Sequence, residues 1–167
     1  MTAPRWRRLP TGARRALFRL PLLAYRVGLG AMFGHRLALV THRGRRTGRE
    51  RQVVVEVVTR DARTGAVVVA SGYGPTANWY RNLRAEPRAT LQLGNRSSAV
   101  VAVPLSPEEG AQAMADYARR RPRSARMVAR QVGVRVDGSE QGYRDLGRVL
   151  PYLRLEPDQG MRGGPAG

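Results

Sequence analysis

The stretch RGRRTGRERQ, residues 43–52, packs five arginines and two glycines into ten positions. Apolar runs flank it, RLALVT (36–41) before and QVVVEVVT (52–59) after. Runs of that length and β-branched content read as strands, so the arginines occupy a strand–strand turn. They do not make a P-loop, because G-x-x-x-x-G-K-[ST] has no match here and a strand, not a helix, follows. Successive backbone N–H groups in a Gly-flanked turn can form an anion-binding concavity. Arg45 and Arg46 add charge-assisted bonds to such a site and Thr47 adds a hydroxyl. The competing reading is a basic turn that meets only solvent.

Short strands and turn signals continue along the chain. DARTG (61–65) reads as a hairpin loop that returns into AVVVAS (66–71). In GYGPTANWYRNLRAEP (72–87), Gly72, Gly74 and Pro75 make a loop. Thr76 is placed to cap a short helix carrying Trp79, Tyr80 and Leu83, which stops before Pro87. ATLQL (89–93) and SSAVVAV (97–103) form a hairpin around Gly94-Asn95. Ser106-Pro107-Glu108-Glu109 is a capping box with proline at the first helical position. A second helical stretch is RSARMVARQV (123–132). Asp137 and Glu140 supply another capping box, for a helix through Leu150, and YLRLE (152–156) is the last strand.

About six strands, mostly in hairpins with helices segregated from them, predict an α+β fold. A small barrel or strongly curled sheet is the economical way to hide their edges. The expected organisation is a flexible arm over 1–12, a single domain over 13–156 and a disordered tail over 157–167. Within the domain, 13–33 reads as an amphipathic helix, with Leu17, Leu20, Ala24 and Val27 on one face and a kink at Pro21.

The chain of 167 residues is 42% hydrophobic, enough for one core. It has no cysteine, which excludes disulfides, thiol nucleophiles and Cys-based metal sites, and a reducing cytoplasm is the expected location. The net charge is +18 and every basic residue is arginine. A total absence of lysine points to genomic composition bias, so the placement of charge is more informative than its sum. Residues 1–51 carry a net +12 of it. No apolar stretch approaches a membrane span. The Arg14-Arg15 pair lacks the apolar region and cleavage site of an export signal.

The remaining candidates are few. Trp79 and Tyr80 are adjacent on a helix and point to different sides, so one can enter the core while the other faces a pocket. His35 and His42 lack a third ligand and make a poor metal site; no metal is expected. Tyr117 and Tyr143 sit on C-terminal helices, where they either pack or offer phenols to a pocket. No pair of carboxylates stands out as an acid/base couple, so an enzyme built on this chain needs a cofactor for the hard chemistry.

The motifs GRRTG with Arg51 following, the Val-rich strand, VAS-G and NWYRNLRAEP occur in an order that resembles the deazaflavin-dependent nitroreductase and quinone reductase family of actinobacteria. The resemblance covers about residues 35–156. It implies a split β-barrel of the FMN-binding type that binds coenzyme F420, an 8-hydroxy-5-deazaflavin with a phosphate and an oligoglutamate tail; FMN is the less favoured cofactor. It implies that Arg45, Arg46 and Thr47 cradle the phosphate and tail, with Arg51 adding a contact. Gln52, Val53, Val54, Val55 and Glu56 are then expected to run beside the deazaflavin. Val69, Ala70, Ser71 and Gly72 approach the ring, and Asn78, Trp79, Tyr80 and Asn82 close the pocket. The sequence departs from the family at Glu50 and Val54, where proline is frequent, and at Glu56, where an aromatic or apolar residue is common.

The expected function is therefore an F420-dependent oxidoreductase that passes a hydride to a quinone, an enone or a nitro compound. Tyr73, Tyr117 and Tyr143 are the candidate proton donors. The 13–33 segment, bordered by Arg14, Arg15, Arg19 and Arg26, is a candidate contact with an anionic membrane surface on the inner face of the plasma membrane; packing on the barrel is the alternative. Two rival functions are a basic nucleic-acid-binding module, against which stands the lack of any recognised binding motif, and a flavin- or deazaflavin-binding protein without turnover.

Overall fold

The computed structural model describes residues 34–161 together with Trp6 and Tyr25. Six antiparallel strands close into a barrel: β1 (Leu37–Arg43), β2 (Glu50–Arg60), β3 (Val67–Ala70), β4 (Arg88–Leu93), β5 (Arg96–Pro104) and β6 (Tyr152–Pro157). Their order around the barrel is β1-β2-β3-β6-β5-β4, and β4 pairs back onto β1. Four helices complete the described fold: α1 (Asn78–Ala85), α2 (Pro107–Arg120), α3 (Pro122–Val132) and α4 (Glu140–Val149). This is the expected α+β split barrel.

The period-2 pattern of the strands sorts side chains into two cores. Ala38 and Val40 of β1, Val55 and Val57 of β2, Val67 and Val69 of β3, and Leu153 and Leu155 of β6 fill the barrel. Tyr80 and Leu83 of α1 join them. The opposite parity supplies Val68 and Tyr152, which pack outside the barrel against Met114, Tyr117, Ala125, Ala129, Tyr143 and Leu146 of α2–α4. Strand β2 serves both cores through a bulge. Its register with β3 steps from Val57↔Val69 to Thr59↔Val68, and the extra residue, Val58, turns to the helices.

The arginine turn, residues 44–49, is tied by its own backbone. The Gly44 carbonyl accepts from the Gly48 and Thr47 N–H groups at 2.7 and 3.2 Å, and the Gly44 N–H donates to the Arg49 carbonyl at 2.8 Å. Gly48 lies at φ +63°, a conformation side chains rarely adopt.

The capping box at Ser106 is present, with Pro107 opening α2. Two expected caps differ. Ala77, not Thr76, precedes α1, and no side chain caps it. Ser139, not Asp137, caps α4, while Asp137 accepts from the Ser139 N–H and hydroxyl. An Asp two residues ahead of a Ser engages the loop and leaves the helix N–H to the hydroxyl. At the C-terminus β6 runs to Pro157 and Gln159–Met161 form a 3₁₀ turn, so the described structure passes the boundary expected at 156. The Asp158 N–H donates to the Ala99 carbonyl at 2.9 Å there.

Residues 162–167, the arm expected over 1–12 apart from Trp6, and the amphipathic helix expected over 13–33 apart from Tyr25 lie outside the described residues. Tyr25 is helical and buried, and its hydroxyl donates to the Leu37 carbonyl at 2.6 Å. No helix among the described residues is long and apolar enough to cross a membrane.

Candidate active site

Strand β2 has an asymmetric environment. It pairs with β1 from Glu50 to Glu56, but with β3 only at Val57, Thr59 and Arg60. The stretch Val53–Glu56 therefore has β1 on one edge and a cavity of about 950 Å³ on the other. The arginine turn and α1 bound one end of that cavity, and α2 and α3 bound the other.

At the first end, Arg45 is fixed from two sides. Its guanidinium donates to Asn82 Oδ1 at 2.8 Å and to Asn78 Oδ1 at 3.4 Å, and its backbone N–H also donates to Asn82 Oδ1 at 3.2 Å. One turn of helix brings both asparagines to the same face of α1. Partial desolvation, then the neighbouring Arg81 and Arg46 charges, lower the Arg45 pKa from its ordinary value. The turn Gly44–Arg49 contains no acid, and among the described residues Arg45, Arg46 and Arg49 take part in no ion pair. Behind it, His42 is buried, with Nδ1 3.5 Å from Asn82 Nδ2. Burial pushes its pKa down, the bond to the Arg43 carbonyl opposes this and Arg51 reinforces it.

At the second end, Tyr117 of α2 donates to Glu56 Oε1 at 2.8 Å. Arg36 and Arg121 also approach that carboxylate, at 3.5 and 3.6 Å. Burial first, then the hydrogen bond to Glu56 and its charge, push the Tyr117 phenol up to about 12. Tyr73 also reaches the cavity and burial raises its pKa.

The sequence-predicted residues divide cleanly. Arg45, Arg46, Thr47, Arg51, Gln52, Val53, Val54, Val55, Glu56, Ala70, Gly72, Asn78, Trp79 and Asn82 line the one cavity, as do Tyr73 and Tyr117. Val69 does not, because its parity points it into the barrel. Ser71 is buried, with its hydroxyl spent on the Gly74 carbonyl at 2.7 Å. Tyr80 turns into the barrel core while Trp79 takes the cavity side, their rings at 90° with centroids 6.0 Å apart. Tyr143 packs in the outer core and does not reach the cavity.

His42, Met114, Val128 and Gln131 line the cavity and were not anticipated. His42 was findable, since it continues the inward parity of Ala38 and Val40. The other three sit on α2 and α3, and nothing local in a helix says which distant strand it will face. Among the described residues, no three His, Cys, Asp or Glu side chains converge to hold a metal ion.

Comparison with known proteins fits this geometry. Residues 23–139 match the family model described as F420H(2)-dependent quinone reductase. No curated protein matches the chain. Among solved structures, an F420-H2 dependent reductase (FDR-A) gives a TM-score of 0.53 at 20% identity, covering 74% of this chain and 96% of its own. A conserved hypothetical protein from Mycobacterium tuberculosis gives 0.52 at 16%, covering 90% and 82%. A pyridoxamine 5'-phosphate oxidase-related, FMN binding protein from Nostoc punctiforme gives 0.50 at 12%, covering 89% and 83%. At these identities the structures share the fold and the family model carries the assignment. It spans well over half of the sequence, and the chain therefore belongs to the F420H(2)-dependent quinone reductase family, as an oxidoreductase whose cofactor is coenzyme F420.

Proposed function

We propose that the cavity beside β2 holds coenzyme F420, with its phosphate and tail on the arginine turn, and that the reduced cofactor reacts there with a quinone; enones and nitro compounds of similar shape are further acceptors. The observation that carries this reading is the Arg45 guanidinium, fixed by Asn78 and Asn82 at the end of the open β2 edge. A cation held in place loses little freedom when an anion arrives, which favours affinity.

The residues suit the group. Arg45 and Arg46, with Thr47, offer donors to an anionic phosphate and tail. The Val53–Glu56 backbone offers alternating N–H and C=O groups to a polar ring edge. Trp79, Val58 and Met114 offer apolar surface to its faces. When bound and reduced, the cofactor supplies a hydride. The protein orients the acceptor, excludes water and holds a proton. Tyr117 is the best-placed holder. Its phenol faces the cavity, stays protonated across the physiological range, and is oriented by Glu56. Tyr73 is the second phenol on the cavity wall.

The test is a titration of the purified protein into coenzyme F420 and, separately, into FMN, followed by stopped-flow oxidation of the reduced cofactor with a soluble quinone. Expected is tight binding of the deazaflavin, weaker binding of FMN, and oxidation that depends on protein. Binding without oxidation by any acceptor would make the protein a carrier.

A further inference from the structure

We propose that the outward face of α3 is a docking surface for an anionic phospholipid bilayer. Three faces of this one helix carry the argument. At about 100° per residue, Ala125, Ala129 and Val132 share one side and are buried in the outer core. Val128 and Gln131 share the next and line the cavity. Arg123, Arg126, Met127 and Arg130 share the third and are exposed. Met127 lies about 40° around the helix from Gln131, at the border between the exposed face and the cavity.

The charges on that face have no acidic partner among the described residues. On the neighbouring helices, Arg119 of α2 and Arg144 of α4 pair with Glu140, Arg148 of α4 pairs with Glu108 and Asp145, and Arg120 of α2 donates to the Asp116 and Val58 carbonyls. Helix α3 contains no acid. Among the described residues, Arg123, Arg126 and Arg130 take part in no ion pair. Between them stands Met127, 68% exposed and the one exposed large hydrophobic side chain among the described residues. Bare cations around a flexible apolar side chain fit lipid phosphates around an acyl boundary. A nucleic acid would be served by the cations but not by the methionine, and α3 has no aromatic ring on which a base could stack. The inference rests on the quinone reading only for its purpose, because a lipid-soluble acceptor would enter beside the docked helix.

The experiment uses the full chain and phosphatidylglycerol or phosphatidylcholine vesicles, without cofactor or acceptor. Wild type is expected to sediment with phosphatidylglycerol at low salt, to release at high salt and to ignore phosphatidylcholine. Replacing Arg123, Arg126 and Arg130 with Gln is expected to lower partitioning about a hundredfold. Replacing the exposed Arg60, Arg63 and Arg96 instead removes the same net charge and is expected to change it far less. Equal losses in the two triple variants, or retention in the first, would overturn the proposal. A second measurement does not depend on those substitutions. The chain has no cysteine, so Met127→Cys carries a single environment-sensitive fluorophore. Its emission is expected to shift to the blue with phosphatidylglycerol, while a label at Arg96→Cys stays unmoved. No shift at position 127, or a response to single-stranded RNA and not to vesicles, would remove the bilayer as the partner. Titration of coenzyme F420 in the same variants reports on the cavity separately, so docking and cofactor binding fail independently.

Discussion

The Tyr117 hydroxyl and the Glu56 carboxylate meet at 2.8 Å, joining α2 to the open edge of β2. Glu56 stands where the resemblance leads one to expect an aromatic or apolar residue, and the structure gives it three partners, Tyr117, Arg36 and Arg121. A carboxylate facing a cavity is tolerable when it is paired in this way.

That bond sets a pH signature. An unfolded tyrosine titrates near 10, whereas Tyr117 in the fold is raised to about 12 by burial, by the Glu56 hydrogen bond and by the Glu56 charge. The folded state holds this proton more tightly. Its contribution to stability is complete below about pH 10 and is lost as pH rises through about 12. Glu56→Gln removes the charge and should move the phenol back toward 10. Phenolate absorbance, compared with Tyr117→Phe to isolate this tyrosine among six, measures the shift. If Tyr117 holds the catalytic proton, the alkaline limb of the turnover profile moves down with it. A titration unchanged by Glu56→Gln would refute the coupling.

Arg45 and Asn82 should behave as one unit in cofactor binding. Losing a charged hydrogen bond costs about 1.5–3 kcal/mol, so Arg45→Ala should weaken binding of coenzyme F420 by roughly tenfold or more. Asn82→Ala releases the guanidinium from its 2.8 Å bond and should reproduce part of that loss. The double variant should be little worse than Arg45→Ala alone, because the second change removes a support whose load is already gone. Fluorescence titration of the four proteins checks this. Fully additive losses would mean that Asn82 acts on the ligand and not through Arg45.

Tyr152 yields a stability prediction of the opposite sign. Its hydroxyl is buried in the outer core with no hydrogen-bond partner in the described structure. Leaving a buried polar group unsatisfied costs on the order of 1–3 kcal/mol. Tyr152→Phe keeps the ring and should leave stability unchanged or raise it by about 1 kcal/mol, read from the urea midpoint. A loss of stability would mean that the hydroxyl has a water or other partner.

How much of this was legible follows from the range of each interaction. The strand parity of Ala38, Val40 and His42 is written locally, as is the Ser106 capping box, and both can be read from a few residues. The arginine turn was legible as a basic turn between two strands because its glycines and charges are contiguous. What the sequence could not show is that α2 and α3 fold back over β2. The contacts of Met114, Val128 and Gln131 with the cavity depend on that return, across more than fifty residues from Glu56. The displaced cap at Ser139 was missed for a subtler reason: Asp137 and Ser139 are both good caps, and the choice is made by the loop between them.

The final prediction concerns Gly74 and Trp6, which the fold brings together across most of the barrel's first half. Gly74 sits at φ +80°, and a Cβ built on it would overlap the Trp6 ring. Its carbonyl is held by Ser71, and the adjacent Gly72 and Tyr73 line the cavity. The indole is thus seated against the loop that forms one cavity wall. Gly74→Ala carries two penalties, a left-handed backbone that costs about 1–2 kcal/mol with a side chain and displacement of the ring. A cycle with Trp6→Ala separates them. If the seat matters, Gly74→Ala destabilises wild type more than it destabilises Trp6→Ala, and the difference is the contact. If only backbone strain acts, the two losses are equal. The chain has two tryptophans, so in a Trp79→Phe background the emission of Trp6 reports the seat directly. It should shift to the red in Gly74→Ala as the ring enters water, and an unshifted spectrum would show that the indole has found another place to pack.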